Sequence, residues 1–236
     1  MFGENSEKPH TVRKEEPTES SAHPDERTGM SHPALSATDW FRRYKETFER
    51  SWLDPATPLG LYRHQRQVLK FWDWSRAEWT ACFGVFLARL ASDQGFRQEW
   101  EEAAPKGTGR GRPRYDYAWY APSAREDAEA SAIFEHEILG DSILAKDGEV
   151  TKLFDMDTPP PLRVVVTYPT DKVGRCVIYD DTEKYLKNNW AKEDKGTEFL
   201  LVLGAVRPDS EQFPPRAAWW EGSVWKDGSL SLTSIS

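Results

Sequence analysis

The sequence predicts an α/β fold, and three segments in the middle of the chain support that prediction. Residues 115–119 alternate aromatic with smaller side chains, which is typical of a strand with one covered face. Residues 162–168 form an apolar run that stops at Pro169, as expected for a strand covered on both faces. Between them, apolar residues recur over 150–154 at the spacing of one helix face. The last strand would therefore lie parallel to an earlier one, joined to it by a right-handed crossover.

The composition predicts one folded domain behind a disordered leader. The 236 residues are 38% hydrophobic and include 11 Trp, which is enough for one substantial core. Residues 1–37 are rich in Glu, Ser, Thr and Pro and have few large apolar side chains, which indicates disorder. Residues 38–104 are expected to form a helical segment that packs on a core at 105–236.

Charge, cysteine content and hydropathy limit the class of protein. The formal net charge of −8 argues against binding nucleic acid over a broadly basic surface. Cys82 and Cys176 are the only cysteines and cannot form a disulfide framework, so a reducing compartment is expected. No secretory leader is visible, and the most apolar helical stretch, residues 79–91, is too short to span a bilayer. We therefore expect a soluble, cytoplasmic protein without a membrane partner.

Two helical regions are predicted in the first half of the chain. The first begins near residues 36–39, carries aromatic side chains at helical spacing and ends before Asp54. The second runs from about residue 61 to residue 91 and is apolar nearly all round at its centre, which implies burial. Its aromatic cluster at 71–74 is interpreted as core packing, with a base-stacking platform or a partner groove as the alternative.

The segment at 131–139 admits two interpretations. As a strand it places Glu135 and Glu137 side by side on one face, with Phe134 on the other. As part of a helix over 124–139 it is rich in Ala and Glu, and helix propensity favours that alternative. The strand would direct two acids from a mostly buried element, whereas the helix would leave them on a solvated face.

This stretch resembles the core of the PD-(D/E)XK nuclease superfamily, which has the restriction-endonuclease-like fold. In that fold an Asp at the end of one strand faces an acid-x-Lys triplet on the next, and a helix and a parallel strand follow. Asp116 matches the first acid, and Glu135 matches the acid of the triplet. Glu137 stands where the usual Lys would be, but Lys152 matches a position on the following helix to which some branches move it. The resemblance covers roughly residues 95–206. It implies an αβββαβ core with an N-terminal helical segment and a C-terminal β-hairpin.

The resemblance also implies the chemistry of the site. Phosphodiester hydrolysis uses a hard cation, Mg²⁺ or Mn²⁺, which polarises a phosphoryl oxygen and lowers the pKa of the attacking water. Asp116 and Glu135 would hold the ion, with Glu137 as an auxiliary acid. Lys152 would stabilise the developing charge, and Glu149, three residues earlier on the same helix flank, would hold that lysine in place. For Glu149 and Lys152 the alternative is an ordinary surface ion pair.

A basic, glycine-rich stretch at 106–114 precedes the first of these strands. It contains three glycines and no acid. Its basic residues are Lys106, Arg110, Arg112 and Arg114. Such a loop would contact the phosphate backbone of nucleic acid, DNA more than RNA, without reading its sequence, and the alternative is a solvated linker. Upstream, Glu99 or Glu101 matches an extra acid that recurs in the superfamily, unless both belong to a charged helix end.

The C-terminal part is expected to complete the sheet. A helix is predicted over 184–190, a buried strand over 198–206, and a hairpin around residues 226–228. Three tryptophans of the hairpin region are interpreted as cover for the core or a sheet edge, with contact to a ligand as the alternative. They are Trp219, Trp220 and Trp225.

Functions from different classes are compatible with these observations. The first is a metal-dependent nuclease. The second is the same fold kept as a binding or interaction module without catalysis, which the missing triplet lysine, the net acidity and the aromatic flanks favour. A third is a helical interaction protein in which residues 124–156 are helical throughout.

Overall fold

One mixed β-sheet of seven strands organises the part of the chain that the structure describes. The computed structural model describes residues 35–67, 76–103, 114–124, 129–138, 143, 148–154, 159–169, 172–190, 195–204, 220–227 and 229–236. Its helices are α1 (Ala37–Leu53), α2 (Pro58–Gln67), α3 (Arg76–Asp93), α4 (Glu149–Lys152) and α5 (Lys172–Asn189). Its strands are β1 (Arg97–Ala103), β2 (Arg114–Tyr120), β3 (Ala132–Glu137), β4 (Leu162–Thr167), β5 (Glu198–Gly204), β6 (Trp220–Lys226) and β7 (Thr233–Ile235). The predicted α/β class is confirmed.

The strands lie side by side in their chain order. Pairing is antiparallel from β1 to β3, parallel from β3 to β5, and antiparallel again from β5 to β7. The ambiguous segment is therefore a strand, and both of its faces are covered. The alternatives that place a continuous helix over 124–139 or 124–156 are wrong. The predicted parallel strand at 162–168, the buried strand that begins at 198 and the C-terminal hairpin are confirmed.

The first face of the sheet, which we call the aromatic face, is covered by α1, α2 and α3. α1 begins after Ser36, whose hydroxyl accepts a hydrogen bond of 3.2 Å from the Asp39 N–H and so caps the helix. Trp40 of α1 packs on Trp119 of β2 and on Phe134 of β3, with ring centroids 6.1 and 5.4 Å apart. Aromatic pairs at such distances add to the free energy gained by apolar burial. This face accounts for most of the chain's buried aromatic side chains among the described residues.

The opposite face, which we call the acid face, is covered by α4 and α5. Val150 of α4, Leu153 just after it and Ile178 of α5 are buried there with Val165 of β4. The apolar spacing over 150–154 predicted a helix here, and α4 is a single turn. The buried apolar side chains of this segment hold it on the sheet. The acid face takes its name from Glu135, which β3 directs to this side.

Residues 97–103 differ from the expectation for the helical segment. They form β1, which pairs antiparallel with β2 in a register that sets Glu99 opposite Ala118. The interpretation of Glu99 and Glu101 as part of a charged helix end is therefore wrong. β1 is an edge strand, and edge strands commonly carry charged side chains, so its composition contained no apolar strand signal.

The helix predicted over 184–190 begins at Lys172 instead. Its buried positions, such as Ile178 and Leu186, do follow helical spacing. Val173 and Val177 are exposed, however, and two β-branched apolar residues on the outer side disguise that spacing in the sequence. The second helical region also differs, because the described parts of residues 61–91 belong to two helices, α2 and α3.

Several predictions fall outside the described residues. These are residues 1–34 of the leader, the aromatic cluster at 71–74, residues 106–113 of the basic loop, and Trp219. The described end of the predicted leader differs from the expectation, because Ala37 is buried and begins α1. Within the described ranges, no helix has both the length and the apolar character needed to cross a membrane. Trp220 and Trp225 are buried, which confirms their interpretation as cover for the core.

Candidate metal centre

β2 and β3 stop pairing at Asp116. Their described ladder joins residues 117–119 to residues 132–134. At the next position, the Asp116 Oδ2 accepts a hydrogen bond of 2.8 Å from the His136 N–H. The acid side chain therefore takes the place of a backbone carbonyl as acceptor, and the neighbouring strand fixes its position.

Glu135 lies beside Asp116 and is 0% exposed. Its neighbours Phe134 and His136 pack on the aromatic face, so the alternation of the strand directs Glu135 to the acid face. The Glu135 carboxyl is close enough to Asp116 to influence the pKa of that residue. Two neighbouring carboxylates repel each other, and a cation bound to both removes that repulsion.

The surroundings of Asp116 influence its pKa in opposite directions. Burial is the largest influence and raises the pKa of the carboxyl above its ordinary value, and the charge of Glu137 acts in the same direction. The hydrogen bond from the His136 N–H, the ammonium of Lys152 and the interaction with the Glu135 carboxyl all lower that pKa. Burial prevails. Carboxyls with a raised pKa that face a charged partner are common at functional sites.

Lys152 brings a positive charge to the acid pair. Its Nζ lies 3.8 Å from the Glu135 Oε2, and its side chain is 28% exposed. The lysine is the last residue of α4, and the buried side chains of Val150 and Leu153 on either side of it anchor that turn. Asp116, Glu135 and Lys152 thus come together from β2, β3 and α4.

The remaining predicted site residues are placed less completely. Glu137 is half-buried at the end of β3, and its charge acts on Asp116. Glu149 begins α4, but its side chain lies outside those that the structure describes. Lys106, Arg110 and Arg112 lie outside the described residues, and Arg114 begins β2 with its side chain outside them as well.

The register of β1 bears on the two upstream acids. Glu99 lies opposite Ala118 and forms an ion pair with Arg97. Trp100 lies opposite Tyr117, so Glu101 occupies the register position across from Asp116. The side chain of Glu101 lies outside the described ones.

Sequence reasoning missed the role of His136 on the aromatic face. Its ring stacks on Phe83 with centroids 4.0 Å apart, and its Nε2 lies 3.2 Å from the Tyr168 hydroxyl oxygen. The same oxygen accepts a hydrogen bond of 3.0 Å from the Trp79 Nε1–H, so Tyr168 links the His136 ring to Trp79. Burial lowers the pKa of His136 to about 3, so the ring is neutral. Strand alternation could have placed His136 opposite the acids, but no local pattern names its partners.

The donor set suits a hard cation that keeps most of its water. Mg²⁺ takes oxygen ligands and needs only one or two protein carboxylates, which Asp116 and Glu135 provide on one face of the sheet. Among the described side chains, no group of three or more His, Cys, Asp and Glu forms a metal-binding cluster. The two acids therefore fit an ion that keeps water as its remaining ligands. No family model, curated protein or solved structure matches this chain.

Proposed function

We propose that this chain is a metal-dependent nuclease, a divergent member of the PD-(D/E)XK superfamily that hydrolyses phosphodiester bonds in nucleic acid. The observation that carries the proposal is the convergence of Asp116, Glu135 and Lys152 from three separate elements. Two acids that can share a cation, with an ammonium beside them, match the charges that phosphodiester hydrolysis develops.

The order of the elements supports the same assignment. α3, β1, β2, β3, α4 and β4 follow one another as the αβββαβ core requires, with β4 parallel to β3. The chain departs from the family pattern at Glu137, which stands in the place of the triplet lysine. Lys152 compensates for that departure, since its Nζ lies within reach of the buried acid.

Each of the chain's own residues has a distinct part in this proposal. A bound Mg²⁺ or Mn²⁺ would polarise the phosphoryl oxygen and lower the pKa of the attacking water. Asp116 and Glu135 would hold the ion. The His136 N–H orients the Asp116 carboxyl, and the close packing around the buried Glu135 limits the movement of its side chain. Lys152 would stabilise the negative charge that develops on the phosphate. Glu137, half-buried at the same strand end, would orient a water by accepting its hydrogen bond.

The substrate class follows from the charge distribution. The chain has a net charge of −8, so it would bind a polyanion only through a local cluster of basic residues and not through its overall charge. Lys106, Arg110, Arg112 and Arg114 provide a basic stretch directly before β2, the strand that carries Asp116. Contacts from these residues to phosphates would position DNA, or less favourably RNA, without reading its bases.

The compartment belongs to the same proposal. Cys82 and Cys176 are both free thiols. Free thiols are typical of proteins from reducing compartments, which supports a cytoplasmic nuclease.

A second candidate function is a binding or interaction module that keeps the fold without catalysis. Two observations favour it. Lys152 already neutralises part of the acids' charge, and among the described residues no third His, Cys, Asp or Glu joins them to form a metal-binding cluster. Such a protein would show no stabilisation by millimolar Mn²⁺. Trp100 of β1, whose side chain is 48% exposed, would then be a place to test for a protein partner.

The test removes one acid at a time and measures cleavage. Asp116→Asn and Glu135→Gln should each lower Mn²⁺-dependent cleavage of single- and double-stranded DNA and RNA by at least about a hundredfold. Circular dichroism should show a folded protein in both variants. Glu198→Gln is the matched control, because Glu198 is a half-buried acid paired with Lys226 at 2.6 Å, two strands from β3. Cleavage at the wild-type rate by either site variant would remove the assignment.

A further inference from the structure

We propose that Lys152 limits how tightly the acid pair binds a divalent cation, because its ammonium already serves as a counter-ion of that pair. The inference rests on the proposed function in one respect, since it takes Asp116 and Glu135 as ligands of the ion. Lys152 and the divalent ion would compete for the same two carboxyls. The lysine would stabilise the transition state, and its presence would lower the affinity of the site for the ion.

Glu135 is completely buried and therefore needs a compensating charge. A carboxylate with no exposed surface is stable in its ionised form only when a positive charge or strong donors compensate for the lost water. The Lys152 Nζ lies 3.8 Å from the Glu135 Oε2, and its charge also acts on the Asp116 carboxyl. Both proposed ligands therefore already interact with a cation that belongs to the chain.

Lys152 is held close to the acids but keeps access to water. Its backbone is fixed, because Val150 and Leu153 are buried on the acid face on either side of it. Its side chain is the more exposed partner of the pair, at 28% against 0% for Glu135. A divalent ion that binds the acids therefore comes within a few ångströms of the ammonium. Like charges at that separation raise each other's free energy, and the ammonium also competes for the acid oxygens.

The sign of the effect separates this inference from a purely structural role for Lys152. If the lysine only held the acids in position, its removal would loosen them and weaken metal binding. If it competes with the ion, its removal strengthens metal binding. The same removal would lower cleavage, because the charge that stabilises the transition state is lost.

The experiment measures Mn²⁺ affinity in the full chain by thermal unfolding and, at a fixed temperature, by the electron paramagnetic resonance of the free ion. Lys152→Met should bind Mn²⁺ about tenfold more tightly than the wild type. Lys152→Arg, which keeps the charge, should bind as the wild type does. Lys226→Met is the matched control, since Lys226 pairs with Glu198 on the same sheet, and it should leave the affinity unchanged. Lys152→Gln provides a second neutral variant if the Met variant does not fold.

The outcomes distinguish the inference from the proposed function. Equal or weaker Mn²⁺ binding in both neutral variants overturns the inference, and so does an absence of binding in every variant. Tighter binding in Lys152→Met that disappears when Asp116→Asn is added supports it. If that result comes with no cleavage by the wild type, competition at the acid pair stands and the nuclease proposal falls.

Discussion

The two faces of β3 have different surroundings, one aromatic and the other charged. On the aromatic face, Phe134 packs against Trp119 with ring centroids 4.6 Å apart, and His136 stacks on Phe83. On the acid face, Glu135 lies between these two residues in sequence and contacts Lys152 across to α4. Alternate side chains of one strand thus face an aromatic core on one side and a charged pair on the other.

The two faces are connected through residue 136. Its N–H holds Asp116 for the acid face, while its ring is held on the aromatic face by Phe83 and Tyr168. Close packing on one side of a strand therefore limits the movement of an acid on the other side. Packing on the aromatic face therefore helps to position Asp116 on the other side of the strand, through the backbone of His136.

The largest expected effect tests whether the aromatic face carries stability. Phe134→Ala should lower the free energy of unfolding by about 3–5 kcal/mol, because it removes a fully buried ring from the contacts with Trp40 and Trp119. Chemical denaturation measures the change. Trp100→Ala, which truncates a ring that is 48% exposed on β1, should cost less. Equal losses in the two variants would contradict the assignment of stability to this face.

The next effect concerns the pH dependence of stability on the aromatic face. Burial lowers the pKa of His136 from about 6.5 to about 3 in the folded chain, so below pH 6.5 the unfolded chain takes up a proton that the folded chain does not. The stabilising contribution of the neutral ring is complete above pH 6.5 and falls by at most about 1.4 kcal/mol per pH unit toward pH 3. His136→Phe should lose this slope.

The measurement is the difference in unfolding free energy between wild type and His136→Phe at pH 7, 5.5 and 4. Carboxyls that titrate in both proteins, such as Asp116, largely cancel in that difference. A difference that stays constant over this range would mean that the histidine is not buried in its neutral form.

The smallest expected effect tests whether the acid face contributes to stability. Glu135→Gln should change the free energy of unfolding by less than about 1 kcal/mol, although the residue is as buried as its neighbour Phe134. The reason is that Lys152, at 28% exposed, keeps access to water and to Asp116, so no charge is left buried alone. Chemical denaturation at pH 7 measures it. A loss of about 3 kcal/mol or more would assign Glu135 a structural role.

Elements with a strong local pattern were predictable from the sequence. α1 begins and ends where its Ser36 cap and the Asp54 boundary indicate, and β4 follows its apolar run. β1 and the first half of α5 were not predictable, because an edge strand and a largely exposed helix carry little apolar periodicity. For residues 132–137 the sequence allowed either a helix or a strand. Packing on both faces of the sheet decided for the strand, against the helix propensity of the segment.

For the site, the sequence by itself determined which residue types were present and which of them share a face of β3, because alternation is a local property of the backbone. Only the tertiary structure decided that Asp116 bonds to the backbone of the neighbouring strand, that Glu135 is close enough to influence the pKa of Asp116, and that Lys152 lies 3.8 Å from the buried acid. The physical reason is that such distances join parts of the chain that are far apart in sequence. They depend on the register of strands and on the packing of a whole sheet, which no short segment contains.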